Sequence, residues 1–107
     1  MYKLGFKRSA LVEWRALDNS VREPLRKALK KRLKEPHIPK SALHGPLHNC
    51  YKIKLKTSGF RLVYKVEGDV LTVVVLVIGK REKSQAYRLA VERLLEGLAT
   101  GSDPVDV

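Results

Sequence analysis

Cys50-Tyr-Lys-Ile-Lys-Leu-Lys-Thr-Ser-Gly-Phe-Arg61 is the stretch on which the reading of this chain turns. Lys52, Lys54 and Lys56 alternate with Tyr51, Ile53 and Leu55, the period-2 pattern of a strand with one charged face. Lys56, Thr57, Ser58 and Gly59 have turn composition, and Phe60, Leu62, Tyr64 and Val66 start a second alternating run. The stretch predicts a β-hairpin over 48–66. With two or four residues in the loop, Arg61 faces Lys54 or Lys56, and in either register Lys52, Lys54 and Arg61 share a face. Like charges opposed across strands cost stability. A cluster kept at that cost implies an anion to bind, and phosphate is the first candidate.

Downstream, Glu67-Gly68-Asp69 turns the chain into a third strand, Val70 to Ile78, which is apolar at nearly every position. Such a run has both faces covered and belongs in the middle of a sheet. A three-residue loop pairs Val66 with Val70 and sets Arg61 opposite Val75. Parity then puts Val73, Val75, Val77, Gly79 and Arg81 on the Arg61 face. Ser84 is placed to cap a last helix running to about Glu96, with Gly97 as its stop. Tyr87 has two readings. It belongs to a stripe with Ala90, Val91 and Leu94 that would make it core, and its ring can equally stack on a base or orient a ribose hydroxyl.

Upstream, Tyr2 to Lys7 reads as a short strand and Ser9 as the cap of a helix through about Leu17. Asp18-Asn19 marks a break, and Ser20-Val-Arg-Glu23 matches a capping box. Val21, Leu25, Ala28, Leu29 and Leu33 form the apolar stripe of a second helix. Arg22, Arg26, Lys27, Lys30, Lys31 and Lys34 fill its other face, and Glu35-Pro36 ends it. Residues 36–46 are a proline-rich loop. The order β-α-α-β-β-β-α implies an α+β fold, a small antiparallel sheet with helices packed against it. Residues 1–97 make one domain, and 98–107 are expected to be a flexible tail.

The 107 residues carry 22 Lys and Arg against 11 Asp and Glu, a net charge of +11. No acid lies between Pro36 and Val66, where Lys40, Lys52, Lys54, Lys56, Arg61 and Lys65 accumulate. Charge polarised in this way suits nucleic acid better than general solubility. The lone Cys50 excludes an internal disulfide and fits a reducing compartment. No CxxC or HExxH pattern points to a metal, and no glycine-rich phosphate loop precedes a helix. His37, His44 and His48 allow a two-histidine ribonuclease, or are solvated loop residues. No signal peptide opens the chain, and no apolar run has transmembrane length. The converging Lys and Arg side chains suit either passive binding of a phosphate backbone or stabilisation of a pentavalent phosphorane.

Cys50 to Tyr64, Val77-Ile-Gly-Lys-Arg-Glu-Lys-Ser84 and Tyr87 resemble the RelE/ParE family of type II toxin–antitoxin toxins, and the similarity extends over roughly residues 2–95. The resemblance implies a ribosome-dependent endoribonuclease that cuts mRNA in the ribosomal A site, without metal or cofactor, by attack of the ribose 2′-hydroxyl. It implies Lys52 or Lys54 as proton acceptor and Arg61 as transition-state stabiliser. Arg81 becomes a proton donor or leaving-group stabiliser, and Tyr87 orients the ribose. Arg22, Arg26, Lys27, Lys30, Lys31, Lys34, Lys56, Lys80 and Lys83 are then candidates for holding RNA on the ribosome. The implied partners are the ribosome, mRNA and a small acidic RelB-like antitoxin, with operator DNA bound only by the toxin–antitoxin complex. The implied location is the cytoplasm, with no membrane contact. Two other readings stay open: a non-catalytic toxin like the ParE branch that poisons DNA gyrase, and a plain RNA-binding protein.

Overall fold

Val73, Val74, Val75, Leu76, Val77 and Ile78 are all buried, so the expectation of a central strand holds. The computed structural model describes residues 1–99. Its elements are β1 (Lys3–Phe6), α1 (Arg8–Arg15), α2 (Asn19–Lys34), β2 (Cys50–Lys54), β3 (Arg61–Glu67), β4 (Thr72–Gly79) and α3 (Lys83–Arg93), with short 3-10 turns between some of them. This is the α+β order read from the sequence. The sheet runs β1-β4-β3-β2. β2–β3 and β3–β4 are antiparallel, whereas β1 lies parallel to β4, so the sheet is mixed. The chain leaves β1 through two helices and the hairpin before it returns beside it, which is the long crossover a parallel pair requires.

Helices cover both faces of β4. On one face Phe6, Trp14, Leu25, Leu29 and Leu33 pack on Ile53, Leu62, Tyr64, Val73, Val75 and Ile78. On the other, Ala90 of α3 joins Leu47, Cys50, Val63, Val74, Leu76 and Val77. The buried Tyr64 hydroxyl donates to the Pro36 carbonyl oxygen at 2.7 Å and accepts from Arg32 at 2.9 Å. Arg32 also donates to the Lys52 carbonyl oxygen at 3.2 Å, tying the end of α2 to β2.

Helix starts differ from the expectation by a residue or two. Asp18 is the N-cap of α2, its carboxylate accepting from the Ser20 N–H at 3.0 Å. An N-cap needs only one oxygen beside the free N–H groups of the first turn, and Asp18 reaches them before Ser20 does. Ser9 does not cap α1, which begins at Arg8. Its N–H and hydroxyl donate instead to the Glu96 carboxylate, at 2.5 and 2.9 Å. α3 begins at Lys83, with Glu82 in the N-cap position expected for Ser84. Leu98 bridges Lys7, and the Ala99 N–H donates to the Phe6 carbonyl oxygen at 2.8 Å. The remainder of the expected tail, 100–107, lies outside the described residues.

The Ser9 N–H, then the Ser9 hydroxyl, hold the Glu96 carboxyl below its ordinary value. A carboxyl whose folded pKa is depressed contributes stability above its unfolded value, near 4.3, and loses it as pH falls through the folded one. Protection of the Ser9 amide from hydrogen exchange, corrected for the intrinsic rate, should therefore decline between about pH 5 and pH 3. Glu96→Gln should flatten that decline. Protection that is constant over the range in the native chain would refute the latch.

Candidate active site

The hairpin loop has four residues, 56–59, closed by the Leu55 N–H donating to Phe60 at 2.9 Å and the Gly59 N–H donating to Leu55 at 2.8 Å. Gly59 takes the left-handed φ of 78° that the turn needs. Lys54 consequently pairs with Arg61 and Lys52 with Val63. Lys52, Lys54 and Arg61 share one face, as the alternation implied.

The next register differs from the expected one. Arg61 pairs with Gly79, not Val75. The β3–β4 connection is longer than three residues: Gly68–Val70 form a 3-10 turn, and Leu71 follows in the left-handed conformation with φ 46°. The register also slips between Val63 and Tyr64, leaving Leu76 as an extra residue in β4. A bulge inverts the alternation beyond it. Val77 and Gly79 therefore keep the expected place on the Arg61 face, while Val73 and Val75 point into the core beneath α1 and α2.

Arg81 reaches the Arg61 face by another route than strand continuation, since β4 stops at Gly79. Its Nη1 would stand 2.6 Å from a Cβ built on Gly79, so the guanidinium occupies the space that glycine leaves free. The same nitrogen is 3.2 Å from the Glu13 carboxylate and 3.5 Å from the Ile78 carbonyl oxygen. Glu13 has further partners. It accepts from the Ile78 N–H at 3.0 Å and from both terminal nitrogens of Arg93, at 2.7 and 3.0 Å. Arg93 also donates to the Leu76 carbonyl oxygen at 3.0 Å. The cause lies in strand lengths: β1 pairs with β4 only from Thr72 to Val75. Beyond that point the β4 edge would be bare, and buried backbone groups need partners. Glu13 and Arg93 supply them.

Tyr87 meets the packing reading, and its hydroxyl sits near a charged group. The ring packs against the core beneath α3, while the hydroxyl meets the field of Arg61. Burial pushes the phenol up, with the Arg61 charge opposing, so the hydroxyl is a neutral donor at physiological pH. Tyr87 Oη and Arg61 Nη1 are both buried and have no hydrogen-bond partner among the described residues. Lys83 Nζ lies 5.9 Å from the centre of the Tyr87 ring.

The candidate RNA-contacting residues divide in two. Lys27, Lys30, Lys31, Lys34, Lys56, Lys80 and Lys83 are exposed. Arg22 and Arg26 are half-buried and already engaged. Arg22 donates to Asn19, Arg15 and Leu17 across the α1–α2 corner. Arg26 pairs with Glu23 and lies over Trp14. His37 packs edge-on against Tyr2 and Tyr51, and no hydrogen bond links any histidine to the cation cluster among the described residues. No group of three metal-ligating side chains occurs there either. Sequence reasoning missed Glu13, Arg93 and Arg32. The available signal was Glu13 itself, the only acid among the first seventeen residues.

A small basic α+β domain with a cationic sheet face and a tyrosine set against an arginine has the architecture of a type II toxin. The family model described as "ParE toxin of type II toxin-antitoxin system, parDE" matches residues 4–85. The chain belongs to the RelE/ParE family of toxins. It is 48% identical over 94 residues to the mRNA interferase toxin RelE of Escherichia coli K12, covering 88% of this chain and 98% of that one. It is 47% identical over 93 residues to an Escherichia coli RelE-like toxin protein, covering 87% and 97%. A mutant of the Escherichia coli RelE toxin in the free state superposes with a TM-score of 0.80 at 47% identity, over 88% of this chain and 98% of that one. The RelE chain of the intact Escherichia coli RelBE toxin–antitoxin complex gives 0.74 at 46% identity, over 78% and 100%.

Cys50 is no rival nucleophile. Burial pushes its thiol up to about 11, Lys65 partly opposing. A thiol reacts as thiolate. Iodoacetamide at about pH 8 should leave the native protein unmodified and label it fully in denaturant; rapid labelling of the native state would overturn this assignment.

Proposed function

We propose that this protein is a ribosome-dependent mRNA interferase, a metal-free endoribonuclease that cuts mRNA in the A site and stops translation. The observation that carries the reading is the pair of buried, unpartnered donors, Arg61 Nη1 and Tyr87 Oη, on the face shared by Lys52 and Lys54. Buried polar atoms without partners are costly, and here both would be satisfied by a phosphate or ribose oxygen. The identity with RelE relatives named as mRNA interferases supports the same conclusion.

In the proposed reaction, Lys52 or Lys54 accepts the proton of the ribose 2′-hydroxyl. The 2′-oxygen bonds to phosphorus and the P–O5′ bond breaks. The leaving 5′-oxygen takes up a proton from water. Arg61 stabilises the phosphorane charge, and Tyr87 orients the ribose through its neutral hydroxyl. Arg81 acts as a fixed positive charge at the leaving group. A guanidinium does not give up its proton in proteins, which disfavours Arg81 as acid. The lysines along α2 hold the complex on RNA through its phosphates. A RelB-like antitoxin is the proposed silencer; its acidic chain covers the cation face or displaces α3 and with it Tyr87. The cytoplasm is the proposed location, in keeping with the lack of any helix long and apolar enough to cross a membrane among the described residues. The ParE description of the family model keeps a gyrase-poisoning toxin as the second reading.

A message with a 2′-deoxy nucleotide at the cut site should resist cleavage on the ribosome, and normal products should end in a 5′-hydroxyl and a cyclic or 3′-terminal phosphate. Cleavage of the deoxy message at the native rate would exclude the mechanism. Arg61→Ala should slow single-turnover cleavage about a hundredfold or more, as losing one preorganised donor does elsewhere, with ribosome affinity little changed. Charge reversal at Lys30, Lys31 and Lys34 should do the converse, weakening binding and its salt dependence while the bound complex cuts normally. A slower cut in the bound complex of that reversal variant would contradict the division.

A further inference from the structure

We propose that Glu13 is a positioning residue for cleavage: its carboxylate holds the Arg81 guanidinium in place across Gly79. The inference rests on the reading of Arg81 as a stabiliser of the transferring phosphate and extends it to α1, an element with no side chain on the cation face.

Arg81 needs such a holder. It sits in the 80–82 connector, outside strand and helix, where the backbone does little to orient a long side chain. Among the described residues its guanidinium meets only two groups, the Glu13 carboxylate and the Ile78 carbonyl oxygen. Glu13 is itself firmly set. It projects from a helix and its side chain is 16% exposed. Oε1 accepts from the Ile78 N–H and Arg93 Nη1, while Oε2 accepts from Arg93 Nη2 and faces Arg81 Nη1. One carboxylate thus joins the end of β4, the end of α3 and Arg81. The contact with Glu13 is an ion pair rather than an aligned hydrogen bond, so it fixes the charge while leaving N–H donors of the five-donor fork free for a phosphate oxygen. Gly79 completes the arrangement, because any side chain there would expel Arg81 Nη1 from the Arg61 face.

The test is a double-mutant cycle on single-turnover mRNA cleavage by the full chain on programmed ribosomes. Glu13→Gln is expected to slow cleavage in the bound complex about tenfold, the scale seen when a supporting carboxylate is removed behind a reacting group, with ribosome affinity unchanged. In the Arg81→Ala background the same substitution should cost nothing more, because the group it positions is gone. A Glu13 that only stabilised the fold would slow both backgrounds equally, and additive effects overturn the proposal. Thermal unfolding shows whether Glu13→Gln is folded. If it is not, Glu13→Asp, which keeps the negative charge and draws the carboxylate back from all its partners by one methylene, enters the same cycle with the same expected coupling. Should Arg81→Ala alone cut at the native rate, the reading of Arg81 falls and the proposal with it. Should Arg81→Ala be slow while Glu13→Gln is not, only the role of Glu13 falls.

Discussion

Six consecutive side chains of β4 are shielded from water on both faces of the sheet. Burying them requires apolar cover on each side, and the rest of the architecture meets that requirement. α1 and α2 lie against one face and α3 against the other. The price is an edge. β1 pairs with only the first half of β4, so the backbone at Leu76 and Ile78 would be left dry and unbonded. Glu13 and Arg93 close that gap by side-chain hydrogen bonds, and in closing it they join the two helical layers through one carboxylate.

That closure has an electrostatic side. A chain with twice as many basic as acidic residues gathers its cations where they repel one another. Most of its acids are exposed, but Glu13 is half-buried and pairs with two arginines. The pairs are only partly shielded from water, so losing Glu13 chiefly leaves the Ile78 N–H and the two guanidinium groups short of an acceptor. Glu13 is the one acid among the first seventeen residues, and the partners that give it this place come from β4 and from α3, far along the chain.

What could be read from the chain alone follows from periodicity. The alternation in Cys50–Arg61 reported the hairpin and the shared face of Lys52, Lys54 and Arg61, because period 2 is a local property of the backbone. The uninterrupted apolar run reported a central strand for the same reason. The family resemblance pointed to Arg81 and Tyr87; Tyr87 lies within the field of Arg61, and Arg81 packs against Gly79, the strand partner of Arg61. The register of β4 was not legible. It depends on a 3-10 turn that ends in a left-handed leucine and on a bulge at Leu76, neither of which has a residue signature such as glycine at the decisive place. Nor was the partnership of Ser9 with Glu96, since residues so far apart in sequence meet only once the sheet has formed.

Under the proposed function, Tyr87 serves core and site at once. Its ring helps seal the apolar layer under α3, and its hydroxyl meets the Arg61 field at the layer's margin. α3 is held at its far end by Arg93 on Glu13, and near its start Tyr87 faces the cation cluster. Whatever loosens the helix therefore acts on the tyrosine and on the carboxylate that steadies Arg81 together. A partner that silences this protein need not touch Lys52, Lys54 or Arg61. On the proposed reading, prising α3 from the sheet withdraws the Tyr87 hydroxyl and frees Arg93 from Glu13, so one mechanical event acts on the proposed site from two directions.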